Sequence, residues 1–138
     1  MKSLLILFFP ILFSCRQPQP ISCKKPKIVK EFSSYLKSVN IKKNIHSDNG
    51  NISFEVFAKY QLKDSIYISA LKDAIVLTKP KTNNQMLLTD DNGKISLKIT
   101  PGKLKYKISY YGYNYYTDSL KIDPGKYYQI KVVLGAHE

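Results

Sequence analysis

The sequence predicts an all-β protein: an antiparallel β-sandwich of seven or eight strands, preceded by a short N-terminal helix. Three observations predict it. From Ile52 onward, apolar and polar residues alternate with a period of two, the repeat of a strand with one face in a core. Turn residues punctuate that alternation at Asn83-Asn84, Asp91-Asn92-Gly93, Pro101-Gly102, Gly112 and Pro124-Gly125, at a spacing of roughly 8–12 residues. No long helical period interrupts the strands, which argues against a βαβ arrangement.

The chain has 138 residues and opens MKSLLILFFPILFSC. Lys2 gives a positive start, and Leu4 to Phe13 is apolar apart from Pro10. That run is shorter than the roughly 20 residues of a membrane span and suits the apolar part of a signal peptide. It ends in Leu12-Phe13-Ser14-Cys15, which resembles the lipobox of bacterial lipoproteins. Leu12 stands three before the cysteine, Ser14 is small, and Phe13 is bulkier than usual. The resemblance implies removal of residues 1–14 and acylation of the Cys15 thiolate. More than one acyl chain makes anchoring stable, at about 0.8 kcal/mol per buried CH₂. The membrane is then a partner through the lipid on Cys15. The expected location is the cell envelope, as an outer-membrane lipoprotein facing the periplasm, with surface exposure as the other arrangement. The competing reading is an ordinary secretory signal with an accidental cysteine.

Cleavage leaves about 124 residues, room for one domain. Residues 15–27 form a tether, where Pro18, Pro20 and Pro26 favour extended chain. Lys24, Lys25 and Lys27 can meet anionic headgroups or simply be solvated. With Cys15 acylated, Cys23 has no intrachain partner and is a free or intermolecular thiol.

Residues 28–46 read as a short amphipathic helix and a loop. Ile28, Val29, Phe32, Tyr35, Leu36 and Val39 advance in steps of one and three, predicting a helix over 28–39 that packs on the domain or docks on a partner. Asp48-Asn49-Gly50 is a turn, and residues 50–138 are the sandwich. Ile52 to Tyr60 and Ile66 to Ser69 alternate. Ala74 to Thr78 is more fully apolar, as in a strand buried on both sides. Met86 to Thr89 follows, then Ile95, Leu97 and Ile99. Leu104, Tyr106, Ile108 and Tyr110 alternate with Lys103, Lys105, Lys107 and Ser109. Tyr116 to Ile122 is a further strand, and the last sets Tyr128, Ile130, Val132 and Leu134 on one side.

Within this series, Ala74-Ile75-Val76-Leu77, Thr89-Asp90-Asp91-Asn92-Gly93-Lys94-Ile95, Pro101-Gly102 and Tyr110-Tyr111-Gly112-Tyr113 stand in a recognisable order. The order resembles the carboxypeptidase-regulatory-like domain, a transthyretin-like β-sandwich. Thr89, Asp90, Gly93, Ile95, Gly102, Gly112 and Tyr113 carry the match over about 70 residues. Gly93 permits the positive φ of a tight hairpin, and Asp90 or Asn92 can cap the turn. Ile66 to Ala70 lacks the glycine common in that family, and Leu71-Lys72-Asp73 replaces its usual proline-containing approach. The resemblance implies a non-catalytic folding, docking or binding module, of the kind that accompanies peptidases, outer-membrane transporters and surface proteins.

The formal charge of +12 fits anionic lipid, acidic polysaccharide or nucleic acid, and the export signal argues against nucleic acid. Abundant Lys, Asn, Ile and Tyr also suit an AT-rich genome. His46 and His137 stand apart, without neighbours at metal-ligand spacing. Asp90-Asp91-Asn92-Gly93 opens like a calcium loop but lacks the later bidentate Glu. No phosphate-cradling glycine loop or nucleophile elbow occurs. The expectation is a non-enzymatic protein with no catalytic residue, no metal and no cofactor, serving an envelope protein partner. A glycan is the alternative ligand. The candidate surface is Tyr111, Tyr113, Tyr115, Lys105 and Lys107, because the seven residues from Tyr110 to Tyr116 hold five tyrosines. Exposed rings can stack on sugars or anchor a protein. The same tyrosines can instead plug the end of the sandwich, and the lysines can protect a sheet edge.

Overall fold

Alternation becomes two packed sheets in the computed structural model, which describes residues 31–43, 47–79 and 84–137. The leader, Cys15, the tether with Cys23, residues 28–30 and His46 lie outside the described residues. The strands are β1 (Tyr35–Lys43), β2 (Gly50–Leu62), β3 (Ser65–Ala70), β4 (Ile75–Lys79), β5 (Gln85–Leu88), β6 (Lys94–Ile99), β7 (Gly102–Ser109), β8 (Tyr116–Ile122) and β9 (Lys126–Gly135). The first sheet runs β1-β9-β2, and the far edge of β2 is shared by β6 and β3. The second sheet runs β5-β4-β7-β8. The expected sandwich is present. It has nine strands among the described residues rather than seven or eight, and β2 and β9 run parallel while the other pairs are antiparallel.

The two-residue period decides what is buried. β2 turns Ile52, Phe54, Val56 and Ala58 inward, and β9 adds Tyr128, Ile130, Val132 and Leu134. The second sheet answers with Val76, Leu104, Tyr106, Ile108 and Ile122. Phe54 and Tyr106 meet across the sheets, ring centres 5.1 Å apart. Each fully buried side chain of this size contributes about 1.5–3 kcal/mol.

Three expectations need correction. The helix over 28–39 is not formed in its described part: Tyr35 to Val39 belong to β1, which pairs with β9. The register slips between Leu36 and Ser38. That bulge lets Leu36 and Val39, three residues apart, oppose Val132 and Ile130, both of them core residues. A strand with a bulge thus mimics the three-residue step of a helix. The sandwich accordingly starts before residue 50, with β1. Second, β4 is buried on one side only, through Val76 and Thr78. Third, β3 has no core face, since all of its residues are exposed.

The Thr89–Gly93 segment also differs from the expected hairpin. It carries the chain from β5 in the second sheet to β6 in the first. Thr89 is buried and accepts from the Ala74 amide at 2.9 Å while donating to the Leu71 carbonyl at 2.6 Å. Asp90 Oδ1 accepts from the amides of Asn92 and Lys94, both at 2.9 Å, the capping role read from the sequence. Gly93 has φ +73°, and a Cβ there would stand 2.5 Å from the Val56 carbonyl oxygen. These residues therefore form a structural corner.

Candidate binding surface

β7 alternates Leu104, Tyr106 and Ile108 into the core with Lys103, Lys105 and Lys107 outward. Pairing then sets the neighbours of each lysine. Lys105 stands between Lys79 of β4 and Ser119 of β8, and Lys107 stands between Leu77 and Thr117. Lys103 is opposite Lys121. The outward positions of β4, β7 and β8 thus gather Lys79, Lys103, Lys105, Lys107 and Lys121, and none of those positions holds a carboxylate. Lys79, Lys105 and Lys107 line an open groove of about 410 Å³ on this face together with Leu77, Thr117 and Ser119, and Tyr106 and the Asp118 carboxylate line it from the neighbouring positions of β7 and β8.

The loop between β7 and β8 divides its tyrosines into two sets. Tyr110, Tyr113 and Tyr116 pack against the core as half-buried residues. Tyr110 and Tyr113 rings lie 5.8 Å apart, and Tyr113 bridges to Ala136. Tyr116 packs 6.3 Å from Tyr106 and donates to Asp118 Oδ2 at 2.9 Å. Burial, then the bond to Asp118, pushes the Tyr116 phenol up to about 12. Burial also raises Tyr106 and Tyr113, helped by the Asp118 charge at Tyr106 and by Tyr60 and Tyr110 at Tyr113. Tyr111 and Tyr115 remain outside, 98% and 62% exposed. Lys107 Nζ stands 4.5 Å over the Tyr115 ring, a cation–π contact.

Of the five residues expected to form a surface, Lys105, Lys107 and Tyr115 converge on the groove and its rim. Tyr111 projects from the turn, and Tyr113 is part of the packed end instead. The tyrosine run thus divides: Tyr110, Tyr113 and Tyr116 pack on the sandwich, and Tyr111 and Tyr115 face solvent. Sequence reasoning did not find Lys79, which only strand pairing brings beside Lys105.

Asn114 was also missed. Its side-chain amide donates to the Phe32 carbonyl at 2.9 Å, and its backbone amide donates to the Gly135 carbonyl at 2.8 Å. Ser34 bonds the Asn114 carbonyl and accepts from the Gly135 amide at 3.0 Å. The Phe32 amide reaches the Ala136 carbonyl at 3.0 Å. The N-terminal segment, the tyrosine loop and the end of β9 are thereby fastened together at one end of the sandwich. No sequence signal marks bonds between residues 82 positions apart.

A second polar cluster lies on the outer face of the first sheet. Glu55 of β2 has a side chain only 7% exposed, yet it is held by Lys94 of β6 and Lys131 of β9, each at 3.1 Å. Burial pushes its carboxyl up, but hydrogen bonds and charge from both ammonium groups outweigh that and hold it below its ordinary value. Among the described residues, no group of three or more His, Cys, Asp and Glu side chains is placed to hold a metal ion.

No family model matches the chain, and no curated protein matches it. Among solved structures, it is similar to the crystal structure of 3-chlorocatechol 1,2-dioxygenase from Rhodococcus opacus 1CP, with 13% identity and a TM-score of 0.49. The match covers 69% of this chain and 64% of that one. Likeness at that level carries no argument about activity.

Proposed function

We propose that this chain is a membrane-anchored, non-enzymatic envelope lipoprotein whose sandwich serves as a protein-binding or structural module. The observation that carries the binding role is the lysine face, whose groove sets Lys79, Lys105 and Lys107 against a single carboxylate, Asp118, with Tyr115 beside Lys107. A basic groove edged by an aromatic ring fits a partner surface rich in carboxylates. The anchor rests on Leu12-Phe13-Ser14-Cys15. Phe32, on the sandwich side of the tether, is held at the tyrosine end by Asn114. A tether of residues 15–27 would span up to roughly 45 Å if extended, enough to let the lysine face turn toward a neighbour.

Crosslinking and mass spectrometry on intact cells test this reading. A specific envelope protein should be captured by the wild type and lost with Lys105→Glu/Lys107→Glu. Capture that is unchanged by the double variant counts against the lysine face. Globomycin should leave a larger precursor, and no shift in size removes the anchor.

The near-complete exposure of Tyr111, with Tyr115 beside a lysine, favours a second reading as a carbohydrate-binding lipoprotein for an acidic glycan. A glycan array decides between them. Binding abolished by Tyr111→Ala/Tyr115→Ala supports the glycan, and binding that survives removes it.

A further inference from the structure

β3 is an edge strand without the usual protection. Among the described residues it pairs only with β2. Its sequence, Ser65-Ile66-Tyr67-Ile68-Ser69-Ala70, carries no charge, no proline and no bulge, in a chain of net charge +12. Ile66, Tyr67 and Ile68 are 53%, 46% and 49% exposed. Edge strands ordinarily blunt their pairing capacity with charge, proline or bulges.

The free backbone groups fall on the isoleucines. β2 and β3 are joined by the two residues Lys63 and Asp64, with Lys63 at φ +54°. In such a hairpin the flanking pair, Leu62 and Ser65, exchanges both hydrogen bonds, and bonded pairs alternate from there. Tyr60–Tyr67 and Ala58–Ser69 are then bonded pairs, and the Leu71 amide bond to the Val56 carbonyl at 2.9 Å keeps the same parity. Ile66 and Ile68 therefore turn their N–H and C=O groups to the open edge.

The residues from 65 to 69 read the same in both directions: Ser-Ile-Tyr-Ile-Ser. Paired antiparallel with a copy of itself about Tyr67, this strand sets Ser65 opposite Ser69, Ile66 opposite Ile68 and Tyr67 opposite Tyr67. The outward-bonding residues, Ile66 and Ile68, become the hydrogen-bonded pairs, so backbone parity and side-chain symmetry agree in one register. Like apolar and aromatic side chains opposite each other are favourable cross-strand pairs. Beyond the serines, Asp64 falls opposite Ala70 and Lys63 opposite Leu71 of the other copy, so the register sets no charge against a like charge.

We propose that β3 is a dimerisation edge, to which a second copy of this chain adds its own β3 antiparallel about a two-fold axis at Tyr67. The contact is isologous, so it closes as a dimer and joins two first sheets into one. It stands without the anchor or the lysine face. Six residues a side is far below the roughly 20–30 of a stable interface, so the dimer is weak in dilute solution and grows with concentration.

The test uses the full chain in detergent with Cys15→Ser and Cys23→Ser. Tyr67→Cys should crosslink to itself on mild oxidation far more than Tyr111→Cys, although position 111 is the more exposed. Ile66→Cys and Ile68→Cys should crosslink poorly alone and well when mixed. Ile68→Pro removes an outward amide that β2 does not use, a change edge strands tolerate. It should lower Tyr67→Cys crosslinking about tenfold, the effect of about 1.4 kcal/mol, with an unchanged circular dichroism spectrum. If Ile68→Pro does not fold, Ile66→Lys/Ile68→Lys replaces it, with the same expected loss. Equal crosslinking at positions 67 and 111, or crosslinking that survives both edge variants, overturns the proposal. So does a chain that stays monomeric in sedimentation at every concentration.

Discussion

The two outer faces of this sandwich use the same alternation to opposite ends. On the first sheet the outward residues are occupied with one another. Lys94 and Lys131 clasp Glu55, and the Tyr127 hydroxyl donates to Ser53 at 2.8 Å. Phe32 lies against Gly135, Val133 is fully buried, and Lys59 stands 5.0 Å over the Phe32 ring. On the second sheet the outward positions of β4, β7 and β8 carry five lysines against one carboxylate in the groove, Asp118, and the ring near Lys107 faces solvent. The first face is a second, small core. The second is left with charge to offer. Substitutions on the two should therefore separate stability from binding.

The largest effect is expected at Gly135. A Cβ there would run into the Phe32 backbone carbonyl, so the N-terminal segment must lift. Lifting it loses the burial of Phe32, about 1.5–3 kcal/mol, together with the Asn114 bond to its carbonyl. Gly135→Ala should lower stability by about 2–3 kcal/mol in urea unfolding. It should also open residues near Phe32 to protease. A Gly135→Ala protein of wild-type stability would mean that the first face is not a second core.

Glu55 comes next. Its folded pKa lies below the ordinary 4.5, so the unfolded chain binds the proton more readily as pH falls. The stability from Glu55 is fully present above that ordinary value and is lost as pH drops through the folded one. Glu55→Gln should cost about 1–2 kcal/mol at neutral pH and flatten the loss of stability below about pH 4.5. An unchanged acid slope in Glu55→Gln would show that the clasp does not bias folding.

How much of this was legible follows from which forces are local. The inward residues of β2, β7 and β9 were readable because one repeat, alternation over a buried sheet, fixes them. The corner at Thr89, Asp90 and Gly93 was readable in its capping, because Asp90 bonds amides only two and four residues away. Its destination was not, since nothing local tells β6 to pair with β2 rather than β5. β1 was misread because its bulge puts a step of three into a strand. β3 was misread in the other direction. Its alternation is clean, yet no second sheet covers it among the described residues, and coverage is a tertiary property. The candidate surface shows the same limit. Lys105 and Lys107 followed from alternation, whereas the separation of Tyr113 from Tyr111 and Tyr115 depends on the bridge to Ala136.

The smallest effect on stability should come from the open face, and there the comparison is sharpest. Tyr115 is mostly exposed, and the Lys107 ammonium stands 4.5 Å over its ring. Contacts of this kind contribute about 0.5–1 kcal/mol when solvated. Tyr115→Ala and Lys107→Ala should each shift stability by no more than about 0.5–1 kcal/mol, and a double-mutant cycle should return a coupling within that range. Each should nevertheless weaken partner capture, because the groove loses its aromatic rim or a central charge. Lys107→Ala should also reduce the salt dependence of capture, since exposed charges act over a range set by ionic strength. Lys107→Arg keeps the charge and can stack on the ring, so it should restore both capture and coupling. A large stability loss in Tyr115→Ala would move that ring to the structural side. The two faces would then differ only in charge, not in use.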